Sequence, residues 1–161
     1  MNKTIVFQEN FLSPSECQYC IDFFDSKVDN SFHYGDNNTT PLDLLKYDKE
    51  FDVFNKRVTR LCKSLCDSEY SISNNELVKW YPSKSSMAPH LDYPTDIWSA
   101  IVYLNEGFYG GKTFFANDIS ITPKAGSIVL FSGSQIYHGV TPLINGYRYT
   151  LAYWISEHEC V

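Results

Sequence analysis

Long apolar runs are missing from this 161-residue sequence. None approaches the ~20 residues that cross a bilayer, and residues 1–20 lack the unbroken apolar stretch of a secretory leader. Basic charge is sparse as well: 13 Lys and Arg stand against 19 Asp and Glu, and the basic residues never cluster. At a net charge of −6 the chain offers a nucleic-acid backbone no electrostatic footprint, so DNA or RNA binding is not expected. A small molecule or a neutral-to-basic peptide is easier to accommodate. Cysteine is limited to Cys17, Cys20, Cys62, Cys66 and Cys160, an odd number that argues against a disulfide scaffold. A soluble chain in the reducing cytoplasm, without a membrane partner, is the expectation. Linkers, internal repeats and low-complexity tracts are also lacking, which predicts one domain over residues 1–161.

What is present falls into two textures. Residues 4–7 read as a short strand, and Leu12-Ser13-Pro14-Ser15-Glu16 as a helix start. Ser13 can cap, Pro14 suits the first helical position, Glu16 can return a bond to the Ser13 amide, and Leu12 with Cys17 can form a hydrophobic staple. Cys17, Cys20, Ile21, Phe24 and Val28 then recur at helical spacing. Cys17-x-x-Cys20 has the form of a redox or zinc pair, but no second pair at zinc spacing follows, and two small apolar side chains in a buried stripe is the reading preferred. Residues 30–41 are rich in turn formers and predict a mobile loop containing His33, a loop histidine with no partner at ligand spacing. A second helix is predicted over 48–66, with Phe51, Phe54, Val58, Leu61 and Leu65 on its apolar face and Cys62 and Cys66 beside it.

Beyond about residue 75, short apolar and aromatic runs alternate with Gly, Pro, Asn and Ser. Eight strands are expected near 76–81, 86–91, 97–104, 112–116, 119–122, 127–131, 135–140 and 147–155. The fold class is therefore mainly β with N-terminal helices: a helical part at 1–70 and a sandwich or barrel core at 76–156.

Two of the four histidines fall in this core. His90-Leu91-Asp92 places an imidazole and a carboxylate two residues apart, on one side of an extended segment. His138 follows 46 residues after Asp92. Two histidines and a carboxylate can bind one face of an octahedral iron(II), leaving room for a bidentate co-substrate and dioxygen. A buried histidine bonded to a nearby aspartate is the plainer alternative. Arg148 lies ten residues past His138 in a strand whose faces alternate: Arg148, Thr150, Ala152 and Trp154 on one, Tyr149, Leu151, Tyr153 and Ile155 on the other. A guanidinium drawn inward needs an acidic partner, either a diacid co-substrate bound bidentately or a protein carboxylate. Tyr103 shares a face with Ile101 and can bond the same carboxylate or serve as an ordinary core tyrosine.

The stretch from Trp80 to Ile155 resembles the catalytic core of the prolyl 4-hydroxylase-like branch of the iron(II)/2-oxoglutarate-dependent dioxygenases. The matching pieces, in order, are Trp80-Tyr81-Pro82, His90-Leu91-Asp92, Ile101 to Asn105, Gly110-Gly111-Lys112-Thr113, Pro123 to Phe131, His138-Gly139-Val140 and Arg148-Tyr149-Thr150. Phe11 to Cys17 also resembles the family's entry helix. The resemblance implies a double-stranded β-helix (jelly roll), with His90, Asp92 and His138 as iron ligands. It implies Arg148 on the distal carboxylate of 2-oxoglutarate with Tyr103 and Thr150 assisting, Tyr81 lining the site, and Trp154 in the pocket near the metal. The implied cofactors are iron(II), 2-oxoglutarate and dioxygen, with ascorbate as an optional reductant. The implied reaction is hydroxylation of a prolyl residue in a peptide or protein. The same chemistry on another amino acid, a small molecule or a nucleobase is the alternative within enzymes. A non-catalytic jelly-roll binding module is the alternative outside them, and a zinc hydrolase built on the same triad leaves Arg148 without a role. Specificity is expected in the loops at 30–47 and 83–97.

Overall fold

The computed structural model describes residues 4–28, 38–83 and 85–158. The expected helix start is in place. The Glu16 amide donates to Ser13 Oγ at 3.2 Å and the Ser13 amide to Glu16 Oε1 at 2.9 Å, closing a capping box at the head of α1 (Pro14–Lys27). Cys17, Cys20 and Phe24 are the buried stripe of α1, with Leu12 buried beside them. The second helix, α2 (Asp48–Leu65), buries Phe51, Phe54, Val58 and Cys62. The expected face ran instead through Leu61 and Leu65, and Leu65 is 44% exposed. Steps of three and four that average 3.5 drift off the seam of a 3.6-residue helix, whereas Cys62 stays on it.

Two antiparallel sheets make the body, as the jelly-roll expectation requires. The larger has the order β1 (Ile5–Gln8), β9 (Ile128–Phe131), β5 (Trp98–Tyr103), β11 (Arg148–His158), β3 (Glu69–Trp80), β2 (Thr39–Asp43). The smaller has the order β4 (Ser85–His90), β10 (His138–Asn145), β7 (Thr113–Phe115), β8 (Ser120–Ile121), with β6 (Tyr109–Gly110) also paired to β10. Both helices pack on the outer face of the larger sheet. Phe24, Phe51 and Val58 share one core cluster with Leu77, Val102, Leu130, Leu151, Tyr153 and Ile155. The other face of that sheet, carrying Arg148, Thr150, Ala152 and Trp154, looks toward the smaller sheet and lines the cavity between them.

Part of the turn-rich stretch at 30–41 is strand rather than loop. Thr39 and Thr40 enter β2, and Thr40 is buried. Pro41 is tolerated because β2 is an edge strand, where one side of the backbone needs no ladder partner. His33 lies outside the described residues. The N-terminal part is thus not purely helical: β1 and β2 close the two edges of the larger sheet. β3 starts at Glu69, earlier than apolar content predicts, because β11 pairs with it along its length. The strand expected over 135–140 begins at His138 and runs on to Asn145.

Candidate metal and co-substrate site

β4 ends at His90 and β10 begins at His138, and the two residues are direct cross-strand partners. Asp92 follows two residues after His90, its amide donating to the Gly133 carbonyl at 2.9 Å. The backbone therefore brings the three predicted ligands together. Their donor atoms all lie within 4.8 Å of one another, and among the described residues they are the one such group of His, Cys, Asp or Glu. Asp92 Oδ1 is 3.5 Å from His90 Nε2, and Asp92 Oδ2 is 3.4 Å from His138 Nε2. The other nitrogen of each ring is occupied: His90 Nδ1 bonds the Ala88 carbonyl at 2.9 Å, and His138 Nδ1 the Ile136 carbonyl at 2.8 Å. A carbonyl accepts only, so each Nδ1 carries a proton; each Nε2 faces Asp92, donating to the carboxylate when protonated and free to offer its lone pair to a metal once that proton is lost.

Asp92 is held as a carboxylate. Burial raises its pKa, but bonds from His138, His90 and Ser99 outweigh burial and leave it far below the usual range. Ser99 donates to Asp92 Oδ2 at 2.5 Å. Gly133 leaves the space for this contact: a Cβ there would sit 2.1 Å from Ser99 Oγ and 2.3 Å from Asp92 Oδ2. The Asp92 hydrogen bond raises the His90 pKa in the metal-free protein, against the opposing effect of burial.

The cavity, about 150 Å³, runs from this triad to Arg148. Arg148 is 1% exposed. Its guanidinium lies 4.8 Å from the Trp80 ring centre and 5.6 Å from that of Tyr103, and Nη2 donates to Thr113 Oγ1 at 3.3 Å. Thr113 is also 2.6 Å from the Tyr103 hydroxyl. Nε of Arg148 has no partner, and no Asp or Glu among the described residues pairs with the side chain. Burial lowers its pKa to about 10, with Tyr103 acting in the opposite sense, so it remains a cation near neutrality. A buried cation without a counter-charge is costly unless an anion joins it. Thr113 lies two residues from Phe115, which faces His138 across the β7–β10 pair. That step is about 7 Å along a strand, comparable to the reach of a five-carbon diacid. The residues present fit 2-oxoglutarate and a divalent iron: two imidazoles and a carboxylate for the metal, a planar cation for the far carboxylate.

Thr150 is buried on the cavity face beside Tyr103, and Trp154 is half-buried on the same face toward the mouth. Tyr81 is placed elsewhere. Trp80 pairs with Arg148 and takes the cavity face, so the next residue points away. Tyr81 instead meets Thr40, whose hydroxyl is 3.3 Å from its own, and the rings and ammonium of Tyr147 and Lys79. Strand alternation through Trp80 was the available signal. Thr113, Ser99 and Gly133 join the site only through the fold. Thr113 stood in the Gly-Gly-x-Thr segment, where Gly110 and Gly111 both have positive φ and turn the chain under Arg148.

Residues 77–156 match the model of the 2OG-Fe(II) oxygenase superfamily. The chain belongs to that superfamily. The match spans the triad, Thr113 and Arg148. Among curated proteins, prolyl 3-hydroxylase 3 of Mus musculus is 39% identical over 64 residues, covering 35% of this chain and 9% of the relative. The chain thus spans a small fraction of that relative's length. Among solved structures, the viral collagen prolyl hydroxylase of Paramecium bursaria Chlorella virus-1, in a 2OG complex, superposes with a TM-score of 0.73 at 18% identity, covering 96% of each chain. A Trichoplax adhaerens prolyl hydroxylase in complex with a hypoxia inducible factor peptide fragment gives 0.74 at 18% identity, covering 95% of this chain and 83% of that one. These likenesses establish the shared 2OG-oxygenase jelly-roll fold.

Proposed function

We propose that this 2OG-Fe(II) oxygenase hydroxylates a prolyl residue in a peptide or protein, using His90, Asp92 and His138 to hold iron(II) and Arg148 to hold the distal carboxylate of 2-oxoglutarate. The observation that carries the reading is the buried Arg148 guanidinium, with no carboxylate among the described residues beside it, across the cavity from the triad. A zinc hydrolase has no use for such a cation, and a binding module has no use for a complete ligand set.

Iron(II) held by these residues, with 2-oxoglutarate and dioxygen, would supply the oxidising power for putting one oxygen atom into a substrate C–H bond, with succinate and carbon dioxide as co-products. The chain's own residues position and exclude. Two backbone carbonyls fix the ring orientation of His90 and His138, and Ser99 orients Asp92. Arg148 and Thr113 define the co-substrate's far end, with Tyr103 bonded to Thr113 and Thr150 alongside. Phe131, packed on the His138 ring at 4.6 Å, and Val140 exclude water from the cavity walls. Ascorbate, as a reductant of the metal, belongs to the same reading.

A peptide substrate is supported by the cavity mouth. Leu91 and Tyr93, the latter 79% exposed, stand on the loop that carries Asp92 and border a groove continuous with Trp154. The Trichoplax neighbour's peptide complex agrees with this choice. The test is succinate release with 2-oxoglutarate and iron(II) across prolyl peptides, free amino acids and nucleobases, with hydroxyproline identified in the product by mass spectrometry. Release coupled to hydroxyproline is expected. Coupled release only with nucleobases or non-prolyl amino acids contradicts the proposal.

A further inference from the structure

Glu76 is the charged cavity residue to which neither the metal end nor the co-substrate end gives a role. It lines the cavity with Thr39, Pro41 and Val78. Its register partners are Ala152 on β11 and Asp43 on the β2 edge. Among the described residues, no hydrogen bond or ion pair reaches its carboxyl, and the charge that acts on it is another carboxylate, its cross-strand partner Asp43. The surfaces beside it, Pro41, Val78 and Ala152, offer no polar side-chain group. Burial and Asp43 push its pKa up to about 7, the mark of a carboxyl lacking the cation that would settle it.

The cavity therefore holds two ionisable groups that no opposite charge among the described residues answers. Arg148 is answered by a diacid. Glu76 is left for the molecule that enters from the mouth. Glu76, Ala152 and Ile101 form one row across β3, β11 and β5. Two strand spacings of ~4.8 Å put Glu76 about 10 Å across the sheet from Ile101, and Ser99, the partner of Asp92, lies two residues (~7 Å) further along β5, so Glu76 and Ser99 stand about 12 Å apart.

We propose that Glu76 is a specificity-determining residue that receives a cationic group of the substrate, so that the substrate carries an amino or guanidino group on the order of 12 Å from the carbon that is hydroxylated. In an extended peptide this corresponds to a Lys or Arg within about four residues of the target. The inference rests on the hydroxylase reading above and deepens it. The acidic balance of the chain, −6 overall, favours the same class of partner.

The test uses the full chain with iron(II) and 2-oxoglutarate under anaerobic conditions. Binding is measured by fluorescence anisotropy for labelled peptides that contain one proline and differ only in carrying Lys, Gln or Glu two residues away. A second arm measures lysinamide, glutaminamide and glutamate by calorimetry. The Lys probe is expected to bind at least ~10-fold more tightly than the Glu probe, with Gln between. Glu76→Gln is expected to bring the three within about 2-fold, and Glu76→Lys to reverse their order. Discrimination in the peptide arm identifies a basic peptide, and discrimination confined to the second arm a small basic substrate. Equal binding, no binding in either arm, or a Lys preference that survives Glu76→Gln overturns the assignment. The charge-transfer band of iron(II) with 2-oxoglutarate is read in the wild-type protein alongside. Its absence contradicts the hydroxylase reading itself, whereas a band without charge discrimination removes only the role of Glu76.

Discussion

Ser99 donates a 2.5 Å hydrogen bond to the same Asp92 oxygen that lies 3.4 Å from His138 Nε2. One hydroxyl thus fixes how the carboxylate is turned toward the metal. Ser99→Ala is expected to weaken iron(II) affinity by roughly 10- to 100-fold while leaving the fold intact. Gly133→Ala is expected to do more damage, because its Cβ would enter the space that Ser99 Oγ and Asp92 Oδ2 occupy. Competition against a metal-sensitive dye measures both.

Arg148 separates stability from binding. Its guanidinium is buried with no counter-charge among the described residues, so Arg148→Met should be neutral or stabilising in thermal unfolding without 2-oxoglutarate. The same variant should lose about 2–5 kcal/mol of 2-oxoglutarate binding, since it removes a charged bidentate contact. Thr113→Val, which removes the hydroxyl shared by Arg148 and Tyr103, should cost about 1 kcal/mol of the same affinity. Calorimetric titration with 2-oxoglutarate reads both variants.

Acid should loosen the contact between the two helices. Arg57 bonds Glu16 at 2.8 and 3.0 Å and the Phe11 carbonyl at 3.1 Å. The Arg57 hydrogen bond, opposed by slight burial, lowers the Glu16 pKa from 4.5 to about 2. A carboxyl whose pKa falls on folding contributes stability that is fully present above 4.5 and lost as pH drops toward 2. The pair is partly solvated, so the contribution is held to about 1 kcal/mol. Urea unfolding of wild type and Arg57→Ala at pH 7 and pH 3 should show the difference between them shrinking at the lower pH.

Thiol labelling distinguishes packing from redox chemistry at Cys17-x-x-Cys20. Both side chains are buried, and burial pushes Cys20, like Cys62, up to about 12. Cys66 is exposed. Iodoacetamide on the folded protein should modify Cys66 and spare Cys17, Cys20 and Cys62, as mass spectrometry of the digest reports. Ready modification of Cys17 or Cys20 contradicts a packing role.

The site was legible in sequence where a short periodicity fixes geometry. His90 and Asp92 are two apart on extended chain, and β11 alternates between cavity and helix faces as its residue types suggest. Tyr81 lies off the cavity despite its motif match, because Trp80 takes the cavity face and strand alternation turns the next residue away. Ser99, Gly133 and Glu76 were not legible, since each acquires its place through pairing with distant strands or loops. The β2 edge was not legible either, since its ladder is supplied by β3, far along the chain, and its own residues are turn formers.

The central claim is that His90, Asp92 and His138 bind one iron(II) that in turn binds 2-oxoglutarate. Anaerobic titration of iron(II) and 2-oxoglutarate into the protein, followed by visible absorption, tests it most directly. The account predicts a weak charge-transfer band in the wild type, its loss in Asp92→Ala, and its appearance in Arg148→Ala only at much higher 2-oxoglutarate. A band that persists unchanged in Asp92→Ala contradicts it.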